Sequence, residues 1–553
     1  MKLSSLTVTG LLCVSGVASA GGLFLPGSGS ISTARAGAGV ASADDGEALA
    51  LNPAGIAKSK GTVISIGIAA FDYIMSFQRN GNYDALANDA TSYEGQRYPV
   101  VENDPHPPLG IGPVQPVPAI AIITDLGQDI PALRSALAGE VHGALGLYAP
   151  SAYPFRNMSK VNGKTYTFNA DFADPPPPSR YDILQQEAAI ILPSVALSYS
   201  PHFIPGLDLG GRFSLGMAQL KSTVAVWGQP ANYEEWIKAD GTVTLDAKQN
   251  FMPAWSLGAA YHPTPTIEFG AQYVAQMDIH AKGTALAANG PAVTLSGAAI
   301  VIVPPPDNVA RCAPGGTTAL LKGCVDLALP ATATIGGRYK FLDGDGKMKG
   351  DIELDVDWEN WSSDRVTNYL VVIDGQVATV SNPMNGIDLK DNLVRHGLQD
   401  TYAARLGGSW TIPVEEQAVI VRGGLSYDTA AAKPGWERAD IDGAARTMIA
   451  AGASYKMKRT QVDLGFGVIL EGTRTDSRTC NPTGMAIPGG GTETGCKPDG
   501  TTGTGTDQLP DQRKGPDPIN PLLGTNSQFE NPVNAGTYKS HYLVFTLGFK
   551  TWF

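Results

Sequence analysis

Beyond its first twenty residues the 553-residue chain contains no run of eighteen apolar residues, which excludes a transmembrane helix. Cysteine is scarce, with five in all, and none sits in a Cys–His cluster of zinc spacing. Charged residues make up 17% of the chain, below the roughly 25% of a soluble domain. Their balance is acidic, with a formal net charge of −12, so the basic footprint of a nucleic-acid binder is missing. Seven histidines are scattered and no G-x-S-x-G nucleophile motif occurs. A Ser, His and acid gathered from different strands stays open as an alternative, with His142, His280 and Asp278 on inferred lumenal faces.

What is present begins with an export signal over 1–20. Lys2 supplies the positive end, Leu6 to Val17 the apolar core, and Ala18-Ser19-Ala20 an A-x-A cleavage site. Cys13 leaves with it. The remaining cysteines form two local pairs, Cys312 with Cys324 and Cys480 with Cys496, in loop-like sequence, and disulfides are the default for an exported chain.

From Gly61 onward apolar and polar residues alternate. The clearest case is Asp351 to Glu359, where apolar residues hold one face and carboxylates the other. Fourteen segments read as strands: 62–79, 115–125, 139–150, 186–200, 206–228, 249–262, 266–287, 329–342, 350–373, 397–412, 417–429, 444–457, 460–474 and 539–553. Connections after odd-numbered strands are mostly long and those after even-numbered strands mostly short. An even strand number with loops sorted this way describes a 14-stranded antiparallel outer-membrane β-barrel over 61–553. Tyr199, Trp255, Tyr261, Tyr339, Trp358, Trp410 and Tyr455 fit aromatic girdles, and the alternating last strand ends on Phe553, an aromatic signal for the barrel-assembly machinery.

A barrel of this size has a lumen to fill, and residues 21–60 precede the first strand. Ser42 reads as an N-cap with Asp45 three residues on, and Asp44 and Asp45 suit the first turn of a helix through Ala48–Leu51. Asn52 caps a second turn with Pro53 at its first position. The predicted unit is a small helical hatch.

The segments ARAGAG (34–39), ADD (43–45) and NPAG (52–55), with LPATATIGGRYKF (329–341), LDVDWENWS (354–362) and VRGGLSYDTA (421–430), resemble the FadL family of outer-membrane transporters for long-chain fatty acids and hydrophobic compounds (OMPP1/FadL/TodX). Many members carry an acid where this chain has Val40. The resemblance implies a passive outer-membrane channel, multi-pass and reached by Sec-type export. It would capture substrate between extracellular loops, hold it in an apolar lumenal pocket, and release it sideways through a kink in the third strand. On that reading Arg35, Gly37, Gly39, Asp44, Asp45, Asn52, Pro53 and Ala54 serve hatch and gating, and Trp236, Ile237, Ile300, Val301, Ile302 and Val303 capture substrate. Gly143, Gly146 and Pro150 mark the kink.

The implied partners are a long-chain fatty acid or hydrocarbon, outer-membrane lipid and lipopolysaccharide, and the assembly machinery. A monomer without cofactor, metal or nucleic acid is expected. An aromatic-hydrocarbon channel of the same fold, a lipid-acting barrel enzyme and a structural or adhesion barrel are the alternatives. GAGVAS (37–42) follows no strand and is not a dinucleotide loop. DGDGK (343–347) lacks a closing Glu and reads as a hairpin turn. The carboxylate row at Asp351–Glu359 reads as a solvated lumenal face, with Arg338 and Lys340 as partners.

Overall fold

The computed structural model describes residues 22–84, 91–107, 112–130, 132, 136–152, 154–168, 172–228, 235–295, 297–476 and 533–553. The export signal, Cys480 and Cys496 lie outside them. The wall strands, in chain order, are β1 (Val63–Arg79), β2 (Gln115–Asp125), β3 (Gly139–Tyr148), β4 (Gln185–Pro201), β5 (Leu207–Val226) and β6 (Gly241–Tyr261). Then come β7 (Ile267–Val274 with Met277–Ala288), β8 (Leu321–Leu329 with Thr332–Leu342), β9 (Met348–Glu359 with Asn368–Asp374) and β10 (Asn392–Arg395 with Thr401–Val414). β11 (Gln417–Asp428), β12 (Arg446–Lys456), β13 (Thr460–Asp476) and β14 (Gly536–Trp552) complete the set. Each strand pairs antiparallel with the next, and β1 pairs with β14 from Val63↔Trp552 to Arg79↔Gly536, so the sheet closes on itself as a barrel.

Alternation decides which side faces lipid. On β5 Leu209, Phe213, Leu215 and Met217 are exposed, on β9 Ile352, Leu354 and Val356, and on β14 Phe545, Leu547 and Phe549. Between them Asp351, Glu353 and Asp355, or Tyr542 and Val544, are buried inside. Trp255, Tyr261, Tyr339, Trp410 and Tyr455 stand exposed on the outer face, while Tyr199 and Trp358 are half-buried. Phe553 is 70% exposed, and its N–H donates to Thr62 O.

Four neighbouring strands depart from continuous reading. The break in β7 (275–276) stands opposite that in β8 (330–331), and breaks at 360–367 in β9 and 396–400 in β10 continue the line. In β6 the extra residues between Gln249 and Met252 form a bulge. Such an insertion reverses which face each later residue takes. The break in β7 does the same within that strand, so His280 and Asp278 lie on the outer face, 51% and 43% exposed at the side chain, with Ile279 inside, instead of facing the lumen as expected. β6 also starts at Gly241, eight residues before its predicted start, because Val243, Leu245 and Ala247 continue the inward row.

The DGDGK stretch is a turn: the Asp343 carboxylate accepts from the Asp345 and Lys347 N–H groups. Outside the wall, Ala298–Val303 pairs with Gln376–Thr379, joining two loops into a small sheet. Cys312 and Cys324 are disulfide-bonded, Cα–Cα 5.5 Å, tying one of those loops to β8.

Candidate functional site

Residues 22–60 fill the lower lumen. Helix α1 (Ser30–Ala34) lies against β11–β14, and helix α2 (Ala48–Leu51) with the turn Pro53–Lys58 lies against β3–β6. The wall makes room with glycine where contact is closest. A Cβ on Gly424 would sit 2.2 Å from Arg35 C, and one on Gly270 would sit 2.3 Å from Val40 O.

Inside this unit the predicted cap is replaced. Ser42 does not cap a helix; Glu47 stands before α2, and the Asp45 carboxylate accepts from Glu47 N–H. Glu47 reaches back to α1 and accepts from Ile31 N–H and Ser32 N–H, both at 2.8 Å. Burial, with Asp45 beside it, pushes the Glu47 carboxyl up to about 7. Asn52 caps the following turn by accepting from Ala54 N–H at 3.1 Å, with Pro53 first in that turn. The Asn52 amide donates to Val40 O at 2.8 Å and to Ala259 O at 3.0 Å, so it pins hatch to hatch and hatch to wall.

The carboxylate row of β9 is the main correction. It is not solvated. Asp351, Glu353, Asp355 and Asp357 are buried, and three of them grip the hatch. Arg35 donates to Asp351 (2.9 Å) and Glu353 (2.7 Å). Glu353 also accepts from Ala41 N–H (2.7 Å) and Ser42 N–H (3.1 Å), and Asp355 from Gly39 N–H (2.7 Å) and Val40 N–H (3.0 Å). Gly37, at φ 92°, turns the chain between these contacts. Arg338 pairs with Asp351 as expected (2.7 Å), whereas Lys340 pairs with Glu268. Asp45 pairs with Lys550 of β14 at 3.0 Å, while the Asp44 side chain is exposed.

Above the hatch lies a cavity of about 390 Å³. Inward residues such as Ile190, Leu220, Leu245, Ile279, Leu327 and Val371 make its apolar wall, and Leu23, Phe24 and Tyr148 line it from the hatch side. Phe24 is fixed across the lumen, with its ring 5.6 Å from Trp361 and a β-bridge to Ala152. One rim is polar. Arg438 pairs with Asp182 (2.6 Å) and Asp440 (2.7 Å), so its charge is taken. Burial pushes the Asp182 carboxyl up to about 7 against the pull of Arg438. Lys390 also lines the cavity, exposed and without an ion pair among the described residues.

The wall is open beside this cavity. β3 ends at Tyr148, so, among the described residues, 115–119 of β2 have no β3 partner, and residues 185–191 of β4 pair on that side only with Arg156 and Asn157. Pro116 and Pro118, two apart, remove two donors from one edge of β2. The cavity reaches Gln115–Pro118 and consecutive residues Gln186–Ile191, and so wraps around the β4 edge.

The three residues predicted to mark the kink separate into two places. Gly143 and Gly146 lie within continuous β3, close against Leu126 and Leu49, and Pro150 lies past its end at the gap. Of the predicted capture residues, Ile300 and Ile302 line the cavity and Val301 and Val303 share their strand. Ile237 is instead buried among Tyr83, Tyr93, Tyr98 and Tyr166, with half-buried Trp236 beside it.

A family model described as outer membrane protein transport protein (OMPP1/FadL/TodX) matches residues 191–486. Among solved structures, a Pseudomonas aeruginosa FadL homologue is similar at TM-score 0.61 and 13% identity, covering 96% of this chain and 100% of that one. The Ralstonia pickettii toluene transporter TbuX (TM-score 0.55, 14% identity, 96% and 99% covered) is similar too. So is the P. putida toluene transporter TodX (0.55, 13%, 96% and 99%). No curated protein matches the sequence.

Proposed function

The chain belongs to the OMPP1/FadL/TodX family of outer membrane transport proteins, which carry hydrophobic compounds and are not enzymes, and we propose that it admits long-chain fatty acids or similar hydrophobes. The observation that carries this reading is the apolar cavity of about 390 Å³, continuous with the gap between β2 and β4. A cavity of about 150 Å³ lined by Leu, Ile and Phe suffices for benzene. More than twice that volume, with Lys390 among the lining residues, suits a long chain bearing a carboxylate. Substrate enters past Ile300 and Ile302, rests in the cavity, and leaves sideways between β2 and β4. This keeps each CH₂ out of water, worth about 0.8 kcal/mol apiece. The hatch, locked on β9 and pinned through Asn52-Pro53-Ala54, closes the straight path down the lumen and gates release.

Likeness to two toluene transporters favours a second reading, uptake of monoaromatic hydrocarbons. One experiment separates them. The full chain is purified in a volatile detergent and the organic extract analysed by mass spectrometry. Recovery of long-chain fatty acid, lost in a Val243→Trp variant that fills the cavity, supports the first reading. Aromatic hydrocarbon alone supports the second, and an extract empty of both overturns transport through this cavity.

A further inference from the structure

Arg212 is a buried cation that meets no anion. It points into the lumen near the start of β5, 4% exposed, and holds no ion pair among the described residues. Elsewhere in the lumen Arg35, Arg338 and Arg438 each pair with a carboxylate. The partners of Arg212 are neutral instead. Nη1 donates to Leu49 O of hatch helix α2, and the guanidinium lies over the Tyr148 ring, 4.8 Å from its centre. Nε is enclosed by protein and donates to no acceptor among the described residues. Across β5–β6 the register partner of Arg212 is Ser256, whose hydroxyl is wholly buried and likewise without a partner. Side chains paired this way stand about 5 Å apart at Cβ, so two orphaned donors share one spot on the lumenal wall.

A guanidinium taken out of water keeps much of its desolvation cost until a carboxylate meets it, and its planar fork suits that group. The surroundings show the way such a group can come. Tyr148 ends β3 at the gap and lines the main cavity from the hatch side. The same residue also lines a second cavity, of about 40 Å³, beside Leu49. Arg212 lines neither, so Tyr148 stands between it and the ligand space. Lys390 lies just before the first residue of β10 and Arg212 close to the first residue of β5. Those two strands run in opposite directions, which puts the two cations toward opposite ends of the wall.

We propose that Arg212 and Ser256 form an inner receiving site for the carboxylate of the transported hydrophobe, behind a gate made by the Tyr148 ring. The proposal rests on the reading of the cavity as a fatty-acid path. The carboxylate leaves the Lys390 end, the Tyr148 ring turns aside toward the smaller cavity, and the Nε side of the guanidinium takes the carboxylate, with the Ser256 hydroxyl donating beside it. Leu49 O is a weaker acceptor than a carboxylate, so the arriving anion also loosens the tie between β5 and hatch helix α2.

The test measures dissociation constants of hexadecanoate and hexadecanol, probes of one chain length, on the full chain in non-ionic detergent. A Lys390→Gln background keeps the exposed lysine from supplying any preference. In that background hexadecanoate should bind at least about tenfold tighter than hexadecanol. Adding Arg212→Gln should bring the two probes within about twofold by weakening hexadecanoate alone. Adding Arg212→Lys instead should keep a preference of at least about threefold, which separates lost charge from lost fold. Equal affinity for the two probes before Arg212 is changed, or an undiminished preference in Arg212→Gln, overturns the proposal and leaves the transport reading standing. Binding of neither probe overturns that reading and this one together.

Discussion

Replacing Arg35 by methionine removes a guanidinium held by two buried carboxylates, Asp351 at 2.9 Å and Glu353 at 2.7 Å. Taking one partner from a buried ion pair typically costs 3–5 kcal/mol, because the charge left behind is stranded. Here the remainder is partly covered. Asp351 keeps Arg338 at 2.7 Å, and Glu353 keeps the Ala41 and Ser42 N–H groups. The lower end, about 3 kcal/mol, is therefore expected, a shift of roughly 150-fold toward undocking. The barrel wall, closed through its own strand pairs, should be unaffected. Hydrogen exchange in detergent is the assay: amides of Gly39, Val40, Ala41 and Ser42 should lose protection by about two orders of magnitude while β9 amides hold theirs. A double-mutant cycle with Glu353→Gln should return a coupling of about 1–3 kcal/mol. Unchanged hatch exchange in Arg35→Met, or equal loss along the whole barrel, would refute the lock.

Other expectations follow from the same contacts. Asp355→Asn should raise exchange at Gly39 and Val40 more than at Ser42, since Asp355 accepts only from the first two. Glu47 has a folded value near 7, above the ordinary 4.5, so its contribution is whole below about pH 4.5 and disappears as pH rises through 7. Protection at Ile31 and Ser32 should thus fall between about pH 4.5 and 7, by at most about 3 kcal/mol, and Glu47→Gln should flatten the profile. Val243→Trp, which fills the cavity, should remove co-purifying ligand at a stability cost of about 1–3 kcal/mol, measured by thermal melting. Cys324→Ser should loosen the loop before β8 by about 3 kcal/mol, seen as faster proteolysis there with β5 unchanged.

Much of the wall was legible because a strand against lipid must alternate, and Ile352-Leu354-Val356 or Phe545-Leu547-Phe549 announce that directly. Insertions were not legible. Nothing in Ala275-Gln276 marks it as a break, yet it moves His280 from lumen to exterior. The acids of β9 were correctly read as inward, but their partners are backbone amides more than three hundred residues earlier in the chain. No local pattern distinguishes a carboxylate facing water from one facing an N–H group. Asn52-Pro53 was readable because a cap is satisfied within two residues. The gap beside β3 does carry a sequence signal, the spacing of Pro116 and Pro118, whereas Gly143 and Gly146 are packing positions.

The contacts of residues 45 and 46 bear on how the molecule can be built. Asp45 is tied to Lys550 on the last strand, and Gly46 N–H donates to Ser65 on the first. The two margins that must be zipped together to finish the cylinder are thus both fastened to the same short piece of chain. Seating the stopper and holding the seam shut are therefore coupled through this one piece of chain.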